Sequence, residues 1–267
     1  MAVRLIALDI DGTLTNQSRE VSERNRFAVK NAMDAGICVI LATGRGRIAT
    51  RPIWNILNMH GYSIQYGGAM TVHIDSGDIL SLHALDSEVI REVLNYSASI
   101  GVHAQIYQDD VVIFEKPNAF ASKYIDRHSL PFQVDPDIRK KTFRNVPKIL
   151  AFSEPEREFE VLAAYRERLR GIAQVSRSNP GYIEINCLGV TKAIGLEELS
   201  ALLNIVRSDI VAIGDNYLDQ EMIEWAGTGI CVADGAEEVK AIADLIIPPC
   251  DQDGVASWIE QYLKLLH

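Results

Sequence analysis

The stretch Val3–Leu8 is short and almost wholly apolar, and it runs straight into two acids, Asp9 and Asp11. A run of this length, without polar alternation, reads as a strand covered on both faces. Ser22 is a plausible N-cap for a helix reaching Ala35, where Gly36 supplies the stop. A second buried strand follows at Ile37–Ala42, then a helix near Ala49–His60 and a third strand near Tyr62–Tyr66. Strand, helix, strand, helix, strand implies right-handed crossovers and a parallel sheet. The expected class is α/β, with a Rossmann-like parallel-sheet core.

The texture changes after Gly68. Met70–Ile74 and Ile79–Leu82 flank Asp75-Ser76-Gly77, which suggests a hairpin. Between Leu82 and Asn186 the chain mixes helices (Ser87–Ser99, Pro155–Arg170) with paired strands (His103–Ile106 with Val111–Glu115, Gln174–Arg177 with Tyr182–Ile185). Asn179-Pro180-Gly181 marks the turn of the last pair. This is the pattern of an α+β unit with an antiparallel sheet. Strand and helix alternation resumes at Ile210–Ile213 and continues through Leu245–Ile247 to a closing helix from Val255. With 267 residues the chain has room for two domains. The expected division is a core of residues 1–81 and 188–267, interrupted by an inserted α+β domain at 82–187.

Composition narrows the partners. The chain is 48% hydrophobic and 23% charged, ordinary for a protein with a large buried core. A formal charge of −10 argues against a nucleic-acid surface, which needs clustered Lys and Arg. It leaves room for a small anion held by a local cation. Cys38, Cys187, Cys231 and Cys250 are scattered without a C-x-x-C pair, and reduced thiols are expected. The histidines lack paired metal spacing, so zinc is not expected. The N-terminal apolar run is too short for a signal peptide, and nothing approaches a membrane span. A cytoplasmic protein without a membrane partner is the default expectation.

The chemistry is suggested by where the acids fall. Asp9 and Asp11 follow the first buried strand, Thr43-Gly44-Arg45 the second, and Asp215 the strand Ile210–Ile213. Open parallel sheets bind ligands beyond the carboxyl ends of their strands, so three distant segments would deliver polar groups to one crevice. Asp9 and Asp11 would point the same way if strand geometry persisted. Two carboxylates about 4 Å apart repel by roughly 4 kcal/mol at an effective dielectric near 20. Such a pair either binds a cation or keeps one member protonated. A second acidic pair, Asp215 and Asp219, recurs at another strand end, which disfavours a mere solvated loop.

Four motifs carry a resemblance. Asp9-Ile10-Asp11-Gly12-Thr13-Leu14 resembles the nucleophile motif of the haloacid dehalogenase superfamily. Ala42-Thr43-Gly44-Arg45 is similar to the second motif of its Cof-type sugar-phosphatase branch, Gly189-Val190-Thr191-Lys192 to the lysine motif, and Gly214-Asp215-Asn216-Tyr217-Leu218-Asp219 to the acidic motif. Asp253-Gly254-Val255 also fits that branch, and the insertion matches its larger cap by position. The resemblance implies a magnesium-dependent phosphatase acting on a small phosphorylated metabolite, such as a sugar phosphate or phosphorylated cofactor. It implies Asp9 as nucleophile and Asp11 as general acid and base. Asp9, the Asp11 carbonyl and Asp215 would hold magnesium, with Asp219 supporting the metal site. Thr43 would bond the phosphate, and Lys192 would set a positive charge beside it; Gly44 and Arg45 are further substrate-binding candidates. Arg47 is set aside.

Two departures stand out. Leu218 replaces the branch's usual Asn before the last Asp, and Gly67-Gly68-Ala69 replaces Asn-Gly-Ala. Leucine cannot supply a side-chain hydrogen bond, so one contact near the metal is lost or comes from elsewhere, with Asn216 a candidate. Competing readings are a receiver-type phosphoacceptor, a catalytically weak phospho-ligand-binding protein, and a phosphomutase. The first leaves the inserted domain unexplained.

Overall fold

The structure is a computed structural model that describes residues 2–265, apart from the side chains of Phe120, Arg127 and His128. The chain forms two compact units. The first comprises residues 1–44, 50–81 and 191–267, and the second residues 45–49 and 82–190.

In chain order the first unit opens with β1 (Leu5–Leu8), α1 (Glu23–Asp34), β2 (Cys38–Ala42), α2 (Arg47–Leu57, whose residues up to Ala49 fall with the second unit), β3 (Tyr62–Gln65), β4 (Met70–His73) and β5 (Ile79–Leu82). Ser22 caps α1, its Oγ accepting the Asn25 N–H at 3.0 Å. The second unit contributes α3 (Ser87–Ser99), β6 (His103–Gln108), β7 (Val111–Phe114), α4 (Ala119–His128), β8 (Phe132–Val134), β9 (Ile149–Phe152), α5 (Glu158–Arg168), β10 (Ala173–Arg177) and β11 (Tyr182–Cys187). The first unit then resumes with α6 (Lys192–Leu202), β12 (Ile210–Gly214), α7 (Gln220–Trp225), β13 (Thr228–Val232), α8 (Glu237–Ile242), β14 (Leu245–Ile247) and α9 (Gly254–Lys264).

The sheet of the first unit runs β14-β13-β12-β1-β2-β3-β4-β5. Its strands from β14 to β3 pair in parallel, and β4 folds back antiparallel on β3. β1 sits at the centre with every residue buried. Leu8 lies opposite Ile213 of β12 on one side and Leu41 of β2 on the other. The carboxyl ends of these three strands are therefore level, and the residues just beyond them become neighbours. Leu5, Ala7, Ile40, Ile64, Leu196, Ile210 and Met222 pack together beneath α6 and α7.

The second unit is an α+β layer with sheet order β10-β11-β9-β6-β7-β8. It differs from the expected antiparallel sheet at one edge, where β7 and β8 pair in parallel. Parallel neighbours need a crossover. Here it is α4, whose Asn118 cap accepts the Ala121 N–H at 2.8 Å. The central strand β9 was also not foreseen: four apolar residues carry too little pattern to separate strand from helix. No helix among the described residues is long and apolar enough to cross a membrane.

Candidate functional site

β1 stops at Leu8, so the strand geometry expected to align Asp9 with Asp11 does not reach Asp11. Instead the chain winds around the Ile10 carbonyl, which accepts the Thr15 N–H at 2.9 Å and the Thr15 hydroxyl at 2.8 Å. Gly12 makes that turn at φ +87°, a conformation L side chains rarely adopt. A Cβ there would lie 2.7 Å from Asp215 Oδ2, so the glycine also admits a neighbouring acid. Asp9 itself is fixed by its own N–H, which donates to Ile213 O at 2.9 Å.

Three of the sequence-predicted acids come together. Ligand oxygens of Asp9, Asp215 and Asp219 all lie within 4.8 Å of one another. Lys192, at the start of α6, reaches the same place: its Nζ donates to Asp9 Oδ1 and to Asp219 Oδ1, each at 2.6 Å. The lysine is 1% exposed, contrary to the usual fate of a helix-start lysine. Its position depends on Gly68, which lies at φ +104° and packs so closely that a Cβ would sit 1.9 Å from the Thr191 carbonyl oxygen.

Each acid has a distinct environment. Asp219 is fully committed: Oδ1 to Lys192, and Oδ2 to the backbone N–H groups of Asp215 and Asn216, both at 3.1 Å. Asp215 accepts the Thr13 hydroxyl at 3.0 Å and the Asn216 amide at 3.3 Å. Asp9 gives Oδ1 to Lys192, while its buried Oδ2 has no hydrogen-bond partner among the described residues. Asp11 is half-buried, and its carboxylate is outside the cluster of three, but its charge reaches Asp9.

Electrostatics follow from this crowding. Burial, then the Asp219 charge, pushes Asp9 up to about 7, against the opposing pull of Lys192. Burial, then the Asp9 and Asp219 charges, pushes Asp215 up to about 9. For Lys192, burial works to lower the pKa, but Asp219 and Asp9 outweigh it and hold the ammonium above its ordinary value. Three carboxylates face one ammonium, which leaves two negative charges uncompensated when all are ionised. A hard divalent cation matches both that deficit and the all-oxygen donor set.

The remaining predicted residues are distributed differently. Thr43, 1% exposed, lies directly past β2, its N–H bonded to Ile64 O at 2.9 Å, and Gly44 follows half-buried. Arg45 falls with the second unit and donates to Ala49 O at 3.1 Å. Arg47, set aside on sequence grounds, lies 3.2 Å from Asp110. The two departures acquire a local explanation. Gly67 sits at φ 68°, ψ 26°, the left-handed region that glycine and asparagine both tolerate. At the other, Asn216 Oδ1 accepts the Leu218 N–H at 3.0 Å while its amide donates to Asp215. Thr13, which the sequence offers only as a member of the first motif, donates its hydroxyl to Asp215; a hydroxyl two residues past an acid was the signal for that bond.

A family model for haloacid dehalogenase-like hydrolases matches residues 6–259. The chain belongs to the haloacid dehalogenase-like hydrolases. It is an enzyme of the phosphatase class within that family, on its Cof-type branch. Among its relatives, the 5-amino-6-(5-phospho-D-ribitylamino)uracil phosphatase YitU of Bacillus subtilis is 27% identical over 268 residues, covering 98% of each chain. Phosphatase YwpJ of the same organism is 25% identical, covering 98% of this chain and 100% of its own. A crystal structure of a haloacid dehalogenase-like hydrolase from Bacteroides thetaiotaomicron superposes with a TM-score of 0.88 at 30% identity, covering 97% of this chain and 99% of that one.

Proposed function

We propose that this enzyme is a magnesium-dependent phosphatase of small phosphate monoesters that works through an aspartyl phosphate on Asp9. The observation that carries the reading is the asymmetry of Asp9: Oδ1 is held by the Lys192 ammonium, while Oδ2 is buried and unpartnered beside Asp215. That arrangement fits a carboxylate oriented by one cation and awaiting another.

Magnesium would be held by Asp9, the Asp11 carbonyl and Asp215, and would offset charge on the phosphate oxygens. Asp219 fits a different task. Both its oxygens are occupied, so it would support the metal site by positioning Lys192 and the Asp215 loop. In the first half-reaction the Asp9 carboxylate attacks phosphorus, the bond to the leaving oxygen breaks, and Asp11 delivers a proton to that oxygen. In the second, water attacks the phosphorus of the acyl phosphate, Asp11 takes the water's proton, and Asp9 departs regenerated. Lys192 stabilises the charge on the transferring group, and the Thr43 hydroxyl and Gly44 contact the phosphate. Arg45 is a weaker substrate contact.

The first unit is assigned the chemistry and the second, centred on residues 82–187, the choice of substrate. The relative named for a phosphorylated ribityl compound supports a sugar phosphate or a phosphorylated cofactor as the substrate class. The test is release of free phosphate from a panel of such esters, with and without magnesium, by wild type and Asp9→Asn. Turnover that needs both magnesium and Asp9 is expected. Stoichiometric labelling without release would sink the hydrolase reading, and phosphate returned to another position of the substrate would mark a mutase.

A further inference from the structure

Away from the acidic cluster, the first unit has a cavity of about 380 Å³ between α6 and the β4–β5 edge of its sheet. It is lined by Thr71, Leu80, Ser81, Glu198, Leu199 and Leu202. Thr71 lies directly opposite Ile64 in the β3–β4 pair, so the two side chains share one face. Ile64 packs against α6 at Gly195, which places Thr71 on the helix side, toward the cavity. Thr71 is 2% exposed, and its hydroxyl has no hydrogen-bond partner among the described residues.

A buried hydroxyl without a partner is uncommon and asks for an occupant able to bond it. The rest of the lining describes that occupant. Ser81 donates to Glu198 Oε2 at 2.7 Å, holding a carboxylate at the mouth of the cavity. Leu80 and Leu202 are 42% and 58% exposed, large apolar side chains that a ligand would cover. Among the described residues the lining contains no lysine or arginine, and the chain carries a net charge of −10, so an anion is disfavoured. The cavity is therefore unsuited to a phosphate ester and is not a second substrate site.

We propose that this cavity binds a small primary ammonium compound with an apolar body. The ammonium has three N–H donors, and the lining offers acceptors in the Glu198 carboxylate and the Thr71 hydroxyl oxygen. The body lies against Leu80, Leu199 and Leu202. The volume is within the range of small-molecule sites, which combine mostly apolar walls with a few placed polar groups. The site belongs to α6, the helix whose first residue is Lys192. It stands independently of the phosphatase mechanism.

The experiment is a titration of the full-length protein, followed by amide ¹H–¹⁵N NMR, with benzylammonium chloride, benzyl alcohol and benzoate. Benzylammonium should give saturable shifts at Thr71, Leu80, Ser81 and residues 198–202. Benzyl alcohol should bind at least about tenfold more weakly, and benzoate should leave these amides unmoved. Thr71→Val should weaken benzylammonium about threefold or more and Glu198→Gln about tenfold or more, with phosphate release unchanged in both. The proposal is overturned by shifts that do not saturate, by an equal response to benzoate, or by wild-type affinity in both variants. It also fails if the protein self-associates in sedimentation and Leu202→Glu abolishes that association, because a second copy would then cover this face. The three ligands on wild type keep the test decisive even where a variant does not fold.

Discussion

At the scale of single residues, the acidic cluster is a collection of charges that the fold holds closer than they would choose. Asp9 and Asp215 keep their protons to higher pH in the folded protein than in the unfolded chain, where an aspartate titrates near 3.9. A raised carboxylate pKa favours folding below the unfolded value, and that contribution disappears as pH climbs through the folded values. Metal-free protein should therefore lose stability between about pH 4 and the region of 7 to 9, the pair titrating as a unit. A divalent cation binds the ionised form and should restore more stability at pH 8 than at pH 5. Thermal unfolding with magnesium and with a chelator at both pH values checks this; equal magnesium shifts would refute it. Asp219 makes a second prediction. Asp219→Asn leaves the buried Lys192 with one carboxylate partner in place of two, and breaking a buried ion pair costs about 3–5 kcal/mol. A lowered urea midpoint together with lost turnover is expected. Intact stability would mean that Lys192 is held by other means.

At the scale of elements, the position of Lys192 is set by the contact between the Tyr66–Gly68 turn and the start of α6. Gly68→Ala would place a methyl 1.9 Å from the Thr191 carbonyl at a backbone angle that alanine resists. The destabilisation should exceed the roughly 1 kcal/mol that such a substitution costs by conformation alone, because backbone must also move. Since the displaced segment begins α6, turnover should fall further than stability accounts for. An active, stable Gly68→Ala protein would show that the α6 start tolerates displacement. The same scale shows what the sequence made legible. The strands bearing the site were readable because each is a buried run ended by polar residues, and parallel pairing then makes those ends level. Strand geometry does not extend to Asp11, because β1 ends at Leu8 and the chain turns at Gly12. In the second unit, β9 reads Ile-Leu-Ala-Phe and β8 only Phe-Gln-Val, too short for any period to show. The parallel β7–β8 pair depends on a ten-residue crossover helix that lacks an acidic first turn, so local signals gave it little support. The bonds of Asp219 were illegible for another reason: they join residues 27 positions apart and two backbone groups in a loop.

At the scale of the whole molecule, the chain leaves the first unit near Ser81 and returns to it at Thr191. Between those points it completes a sheet and its own core. Leu85, Ile90, Ile106, Ile149, Val161, Tyr165, Ile183 and Ile185 form one buried cluster, drawn from the segment before α3 and from α3, β6, β9, α5 and β11. Tyr165 is fully buried there, with its hydroxyl bonded to Ser97 at 2.7 Å. A segment of this size with a continuous apolar cluster and paired strands meets the requirements of an independently folding domain. Residues 82–190 produced alone should therefore unfold cooperatively in urea, with a slope of about 1–2 kcal/mol per molar as expected for a small domain. They should release no phosphate from any ester, because Asp9, Asp215, Asp219 and Lys192 all belong to the other unit. A featureless urea titration would show that this core needs the flanking segments to form. Phosphatase activity in the excised piece would contradict the assignment of the chemistry to the acidic cluster, whatever its stability. The two readouts fail separately, so the experiment tests the division of the fold and the location of the chemistry as distinct claims.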